Sequence, residues 1–350
     1  MPSSGNKTKF NITEVASWLL LVVLVTFSLQ TLDFLFIPLC FAILLCYALG
    51  IPLDFLKQYH LPGFVRIILV VSLVLLLIFM LGKLVMHNVG DFQSRLPEYE
   101  EKFWEYANII LSRFDISKEQ ASESIQAFGG NILQNQFSFG GLIKSFSSSF
   151  FAFLGNVLWV VLFMAFILAE RESFTRRLVK QLGKKNADPV MKSLQQINRS
   201  VQHYLGLKTL ISFLTGAIVT IILSAAGVDF ALLWGVLTFV LNFIPTIGSI
   251  VATLPPIAIT LFQSGSVGKT LIIGILLLAL QFSVGNILEP KLMGRGLNLS
   301  PLVVLFSLIF WGWLWGIPGM LLAVPLTGAI RIGMEQVDAT KTVAVLISGK

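Results

Sequence analysis

The sequence predicts an all-α polytopic membrane protein with about eight hydrophobic segments. Two of these form Pro/Gly-broken helical hairpins in an inverted repeat, and a small external helical insertion completes the plan. Three observations carry this prediction. Hydrophobic residues make up 55% of the chain and charged residues 12%, with a mean hydropathy of +0.84, whereas a soluble protein carries about 25% charged residues to solvate its surface. Uncharged runs at 15–31, 34–53, 67–82, 145–169, 209–228, 230–268, 270–288 and 296–330 approach or exceed the roughly 20 residues a spanning helix needs. The run 230–268 would extend roughly 60 Å as one helix, so it must fold back, and 296–330 poses the same problem.

Taken in order, the first run follows Lys7 and Lys9. It has no small-x-small cleavage site and is followed at once by the second run, so the pair reads as an uncleaved hairpin rather than a signal peptide. Cys40 and Cys46 would lie about 9 Å apart along a helix. That is too far for a disulfide, and they read as small buried hydrophobes. The third run closes an N-terminal three-span region, residues 1–88.

Residues 89–144 form an external amphipathic insertion. Phe92, Leu96, Tyr99, Phe103, Ala107, Ile110 and Phe114 recur at three- and four-residue spacing, with acids on the other face. Ser117-Lys-Glu-Gln120 then resembles a capping box opening a second helix through Ile125, Phe128, Ile132 and Leu133. Residues 145–206 supply a fourth span and a basic cytoplasmic helix expected to begin after Asp188-Pro189. The transport core, 207–334, and a cytoplasmic C-terminal tail, 335–350, complete the order.

Charge sets the orientation. Arg171, Arg176, Arg177, Lys180, Lys184, Lys185, Lys192 and Arg199 face only Glu172 and Asp188, while acids outnumber bases between 89 and 144. The positive-inside rule puts the basic stretch and both termini in the cytoplasm, and the acidic insertion outside. The net charge of +7 therefore reports topology. A nucleic-acid partner is excluded, because no basic stripe is interleaved with aromatics.

Within the core, Pro245 and Gly248 supply one break and Pro318-Gly319 the other, since proline removes a backbone donor and glycine permits a turn. Residues 207–262 and 269–334 then share one plan, a span followed by a broken hairpin, in opposite orientations. Two packed kinked hairpins without a repeat are the plainer alternative. Paired broken segments expose backbone groups in mid-membrane and point to a transporter's substrate site.

Candidate path residues follow from that placement: Asn242, Pro245, Thr246, Gly248, Asn286, Glu289, Pro290, Pro318 and Gly319. Glu289 is one of very few acids beside an apolar span, and Asn286 precedes it by three residues, on the same face of an α-helix. Such a carboxylate can bind a cation, carry a proton or hydrogen-bond a hydroxylated solute. Its plainer role is an interfacial pair with Lys291 or Arg295. Asn242 and Thr246 offer amide and hydroxyl groups beside a break, or simply a satisfied kink. Lys208 opens the fifth span, where a lysine ordinarily extends to the interface; gating is its other reading. Asp33, Lys83 and Asp229 read as interfacial.

Several chemistries are excluded. His60, His87 and His203 are scattered without metal-ligand spacing. Gly268-Lys-Thr270 lacks the first glycine of a P-loop, since Gln263 stands there, and no strand precedes it. No paired aspartates, Ser/His pair or His-Glu-x-x-His motif supports an intramembrane enzyme. No cofactor is expected.

Tyr204-Leu-Gly-Leu-Lys-Thr-Leu-Ile-Ser212 with Gly216, Asn242-Phe-Ile-Pro-Thr-Ile-Gly248, Asn286-Ile-Leu-Glu-Pro290 with Gly294, and Gly316-Ile-Pro-Gly319 with Ala323-Val-Pro325 together resemble the autoinducer-2 exporter family of bacterial inner-membrane permeases. Their order and spacing carry the resemblance, which is strong in the C-terminal half and extends to the rest by layout. It implies export of small polar solutes such as the autoinducer-2 signal, an elevator-like movement, and a homo-oligomer, with a pentamer suggested. It also implies a runner-up, sodium or lithium exchanged for H+. A non-transporting membrane scaffold is the alternative of another class, but a scaffold would not need helix breaks at two matched depths.

Overall fold

A computed structural model describes residues 12–50, 56, 58–112, 139–293, 297–335 and 340–349, and these are helical throughout apart from short connections and one isolated bridge between Leu299 and Ser348. In chain order the helices are α1 (Ile12–Thr31), α2 (Asp33–Ala48), α3 (Gly63–Ser112), α4 (Phe139–Ala225), α5 (Ala231–Leu241), α6 (Ile247–Ser264), α7 (Val267–Ser283), α8 (Glu289–Met293), α9 (Pro301–Glu335) and α10 (Lys341–Ile347), with a π-helical turn, Val284–Leu288, joining α7 to α8. Among the described residues, five helices are long and apolar enough to cross a membrane: Gly63–Leu84, Val190–Ala225, Ile247–Ser264, Val267–Leu292 and Pro301–Glu335. A pair bent by 88°, Leu20–Thr31 with Asp33–Ala48, makes a sixth if counted as one span. Gly155–Glu170 and Ala231–Leu241 are apolar but shorter.

The exterior of the helices stays apolar. Phe27 of α1, Phe79 of α3, Phe166 of α4, Ile275 of α7 and Phe306 of α9 all point outward. Lipid is as apolar as these side chains, so nothing drives them inward.

The amphipathic helix expected after residue 89 is continuous with the third span, because α3 runs unbroken from Gly63 to Ser112. The capping box at 117–120 and the second helix lie outside the described residues. In α4 the single non-helical residue is Gly183 (φ 71°, ψ 152°), so the break falls before the expected boundary at Asp188-Pro189. Glycine adopts that conformation without steric cost. From there the basic stretch continues directly into the fifth span.

Both hairpins are present, and each turns on a residue with positive φ. In the first, α5 ends at Leu241, and Thr246 (φ 62°, ψ −58°) precedes α6, with the Ile247 amide donating to the Pro245 carbonyl at 2.6 Å. That is a γ-turn of the strained, positive-φ kind. In the second, α9 breaks at Gly316 (φ 64°, ψ −141°), two residues before the expected Pro318-Gly319. Helix resumes at once, so Pro318 sits in a first turn, where its missing donor costs nothing.

Gly248 and Gly319 have a different duty from turning. A Cβ on Gly248 would overlap the Leu241 carbonyl, and one on Gly319 would overlap the Trp311 carbonyl. Each glycine therefore lets the two limbs of its own hairpin close backbone to backbone.

Three clusters of buried apolar side chains hold the bundle. One joins Leu44 of α2 and Val201, Tyr204 and Leu205 of α4 to the second hairpin, and takes in Ile244 from the first hairpin's tip. Another gathers the end of α4, the first hairpin, α7 and Tyr99 of α3. The third packs α2 and α3 against Met164 and Leu168 of α4. On one side α5 approaches α4 closely, since a Cβ on Gly216 would lie 2.5 Å from the Gly235 carbonyl.

Candidate functional site

Along the buried face of α4 a polar stripe recurs every four residues: Tyr204, Lys208 and Ser212. Side chains four apart on a helix stack on one face, so the apolar residues flanking this stripe place it inside the protein. Lys208 is 2% exposed. Its Nζ donates to Glu289 Oε1 at 2.5 Å, and the Glu289 side chain is 20% exposed. One turn further along, Asn242 Nδ2 donates to Ser212 Oγ at 3.1 Å. Thr215 and Thr238, also buried, satisfy themselves by bonding the carbonyls of Ile211 and Trp234.

Two expectations are corrected here. Lys208 does not extend to an interface; it turns inward, because Glu289 offers it a partner. Among the described residues Glu289 pairs with Lys208 and not with Lys291, which is exposed; Arg295, the other expected partner, lies outside the described residues. The π-helical turn Val284–Leu288 explains the aim of Glu289. A π turn takes up an extra residue, so three positions no longer bring Asn286 and Glu289 to one face. Asn286 is exposed and donates to the Phe282 carbonyl at 3.2 Å, while Glu289 faces α4.

The remaining path candidates are dispersed. Thr246 and Pro290 are exposed, Pro245 and Pro318 are half-buried, and Gly248 and Gly319 lie buried inside their hairpins. The structure thus brings Lys208 to Glu289 and puts Asn242 one turn away, without gathering the turn residues around them. Tyr204 and Ser212 were missed as site residues. Their signal was present in the four-residue spacing from Lys208, which becomes visible only once Lys208 is known to point inward. Among the described residues no group of His, Cys, Asp and Glu is placed to hold a metal ion.

A buried ion pair is a poor stabilising device, because desolvating two charges offsets most of their attraction. Ionisable side chains inside membrane proteins mark pathways far more often than they mark structure. The Lys208–Glu289 pair is therefore the first candidate for function in the described chain.

A second polar cluster lies elsewhere, where α4 meets α5. Asp229 Oδ2 accepts from Arg95 Nη1 at 2.6 Å and from the Tyr99 hydroxyl at 2.7 Å. Gln263 of α6 donates to the Gly227 carbonyl and accepts from the Asp229 amide, both at 2.9 Å, and Trp234 Nε1 donates to the Asp229 carbonyl at 3.2 Å. Phe92 meets Phe230 edge-on, with ring centroids 5.3 Å apart. Burial first, and the bond to Asp229 second, push the Tyr99 hydroxyl pKa upward; the charge of Asp229 raises that of Arg95. Asp229 is thus more than interfacial, since it ties the arm of α3 to both limbs of the first hairpin at their base.

Comparison with known proteins gives a consistent picture. The sequence profile described as "AI-2E family transporter" matches residues 16–338. The "AI-2 transport protein TqsA" of Escherichia coli (strain K12) is 33% identical over 320 residues, covering 89% of each chain. A "Putative transport protein" of Haemophilus influenzae is 36% identical over 300 residues, 83% of this chain and 84% of its own length. A protein of the same designation from Borreliella burgdorferi is 30% identical over 345 residues, or 97% and 92%.

Proposed function

On the premise that the chain belongs to the AI-2E family of transporters, a family of multi-pass bacterial membrane transport proteins and not of enzymes, we propose that it exports small polar organic solutes across the inner membrane. The autoinducer-2 signal named for the Escherichia coli relative is the first cargo to test. The enclosed Lys208–Glu289 pair carries this reading. Lys208 already neutralises the carboxylate that a sodium ion would need, so an uncharged solute fits the site better than sodium exchange.

Movement is assigned to the core, residues 207–334. Its two broken hairpins, each turning at a positive φ and each closed by a glycine against a carbonyl, support an inverted repeat and an elevator-like displacement of one against the other. The basic stretch at 171–200 supports a cytoplasmic position for both termini. Single-cysteine labelling is then expected to find Lys185 and Lys291 in the cytoplasm and Glu100 outside, and an external Lys291 sinks the repeat. Assembly as a homo-oligomer, with a pentamer as the expectation, rests on the family resemblance and is tested by cross-linking in membranes.

Proteoliposome flux of the autoinducer-2 signal and of sodium against protons, measured side by side and normalised to folded protein, tests the reading. Glu289→Gln is expected to abolish signal flux while leaving insertion intact. Wild-type flux in that variant removes Glu289 from the path, and sodium exchange without signal flux reverses the choice of cargo.

A further inference from the structure

The polar cluster around Asp229 joins two parts of the molecule that the chain keeps far apart. Arg95 and Tyr99 belong to the arm of α3, whose membrane segment packs with α2 and with Met164 and Leu168 of α4. Asp229 lies 134 residues beyond Arg95, in the turn that opens α5. Gln263 bonds both the Gly227 carbonyl and the Asp229 amide, so the start of α5 and the end of α6 form one base. Whatever holds Asp229 therefore holds both limbs of the first hairpin.

Three features set this junction apart from a permanent joint. The Arg95–Asp229 pair is partly in water, with side chains 53% and 20% exposed, and such a pair contributes little to stability. Phe230, the next residue, is left-handed (φ 59°, ψ 29°), a conformation that is uncommon for a bulky side chain and persists only where the surroundings impose it. Phe92 of the arm supplies that hold, edge-on to the Phe230 ring. Pro97, between Arg95 and Tyr99, removes one helical bond from α3, so the arm bends most easily where it docks.

We propose that the arm of α3 is a releasable strap, with Arg95 and Tyr99 as positioning residues that grip the base of the first hairpin in one state of the transport cycle and let it go in the other. The inference rests on the transport reading above and adds what restrains the element that moves. On release, Arg95 and Asp229 regain water, which offsets most of the lost attraction. Phe230 relaxes at the same time, so strain held by the strap favours departure. Tyr99, 1% exposed, carries most of the grip, because its ring leaves an apolar cluster and its hydroxyl leaves Asp229. A purely structural anchor would stay shut throughout the cycle.

The test fastens the strap reversibly in the full chain. Arg95→Cys and Asp229→Cys are combined with Cys40→Ala and Cys46→Ala, and the new thiols are bridged in proteoliposomes by a short bis-methanethiosulfonate that replaces the reach of the lost arginine. The backbone bonds of Asp229 to Gln263 and Trp234 do not need its carboxylate, so the hairpin base is kept. Flux of the autoinducer-2 signal is expected to fall in proportion to the bridged fraction and to return on reduction, while methyl methanethiosulfonate, which cannot bridge, leaves it unchanged. Full flux through bridged protein, an equal loss with the single-headed reagent, or thiols that label but do not bridge overturns the strap while leaving transport standing. If that pair does not assemble, Phe92→Cys with Phe230→Cys takes its place under the same outcomes. Wild-type vesicles that move no signal overturn the transport reading and the strap together.

Discussion

The first hairpin turns on a strained threonine and the second on a relaxed glycine, and the means that hold the two limbs of each differ as much as the turns do. Along the second, Trp315 Nε1 donates to the Leu29 carbonyl at 2.9 Å, Trp311 lies tilted against Trp315, and Ser307 and Trp311 both bond the Thr327 hydroxyl. Its far end is tied again, because the Ser300 and Gly349 amides pair with the Ile347 and Asn298 carbonyls. The first hairpin is fixed at its base through Asp229, while Thr246, Ile247 and Ile250 at its tip are exposed. The second hairpin is thus bonded along its length, and the first at its base and, through Asn242 Nδ2 to Ser212 Oγ, on one side of its tip. If one element of the core moves, the difference singles out the first hairpin, whose tip stores strain that closure or release can use.

The largest expected effect tests whether the shared feature, limbs closed on a glycine, is equally needed. Gly248→Val and Gly319→Val each place side-chain atoms on a carbonyl, at a cost of about 3 kcal/mol. Both should lower the melting temperature in detergent by similar amounts. A large fall in one and none in the other ends the parallel between the hairpins. Next, Gly316→Ala forces a side chain into a backbone region close to glycine-only, which costs about 2 kcal/mol, and hydrogen exchange should quicken across α9 but not α6.

The anchors can then be set against each other. Asp229→Asn removes the ion pair with Arg95, whose side chain is 53% exposed, while keeping a partner for Tyr99, so its cost is small. Exchange should rise in residues 227–265 alone. Trp315→Phe loses one bond to the Leu29 carbonyl, about 1 kcal/mol, and should loosen α1 with the second hairpin. The smallest effect carries the opposite sign. Thr246→Gly relieves the γ-turn and should stabilise by about 0.5 kcal/mol once the greater freedom of unfolded glycine is set against it. If the strain is functional, transport slows in this variant even as its melting temperature rises.

Much of the fold is legible in the sequence. The uncharged runs announced helices, and Pro245 lay beside the first break. The second break was misplaced by two residues, because Gly316, Pro318 and Gly319 all favour a turn and only the packed backbone shows which one makes it. Gly248 was read as a hinge and proves to be a contact point, since a glycine's sequence cannot tell positive φ from close approach. The site was less legible still. Glu289 stood out, but its partner lies 81 residues away, and the π turn that aims it leaves no periodic signature strong enough to read.

Composition and charge placement determined on their own that this chain lives in a bilayer, that it is helical, and that its core contains two interrupted apolar segments, because solvation by lipid and the satisfaction of backbone groups act on each segment independently. Which charge meets which, which glycine turns and which merely admits a neighbour, and where the α3 arm docks were decided only by tertiary structure. Those outcomes depend on distances between segments far apart in the chain, and a buried lysine becomes tolerable only once another helix delivers a carboxylate to it.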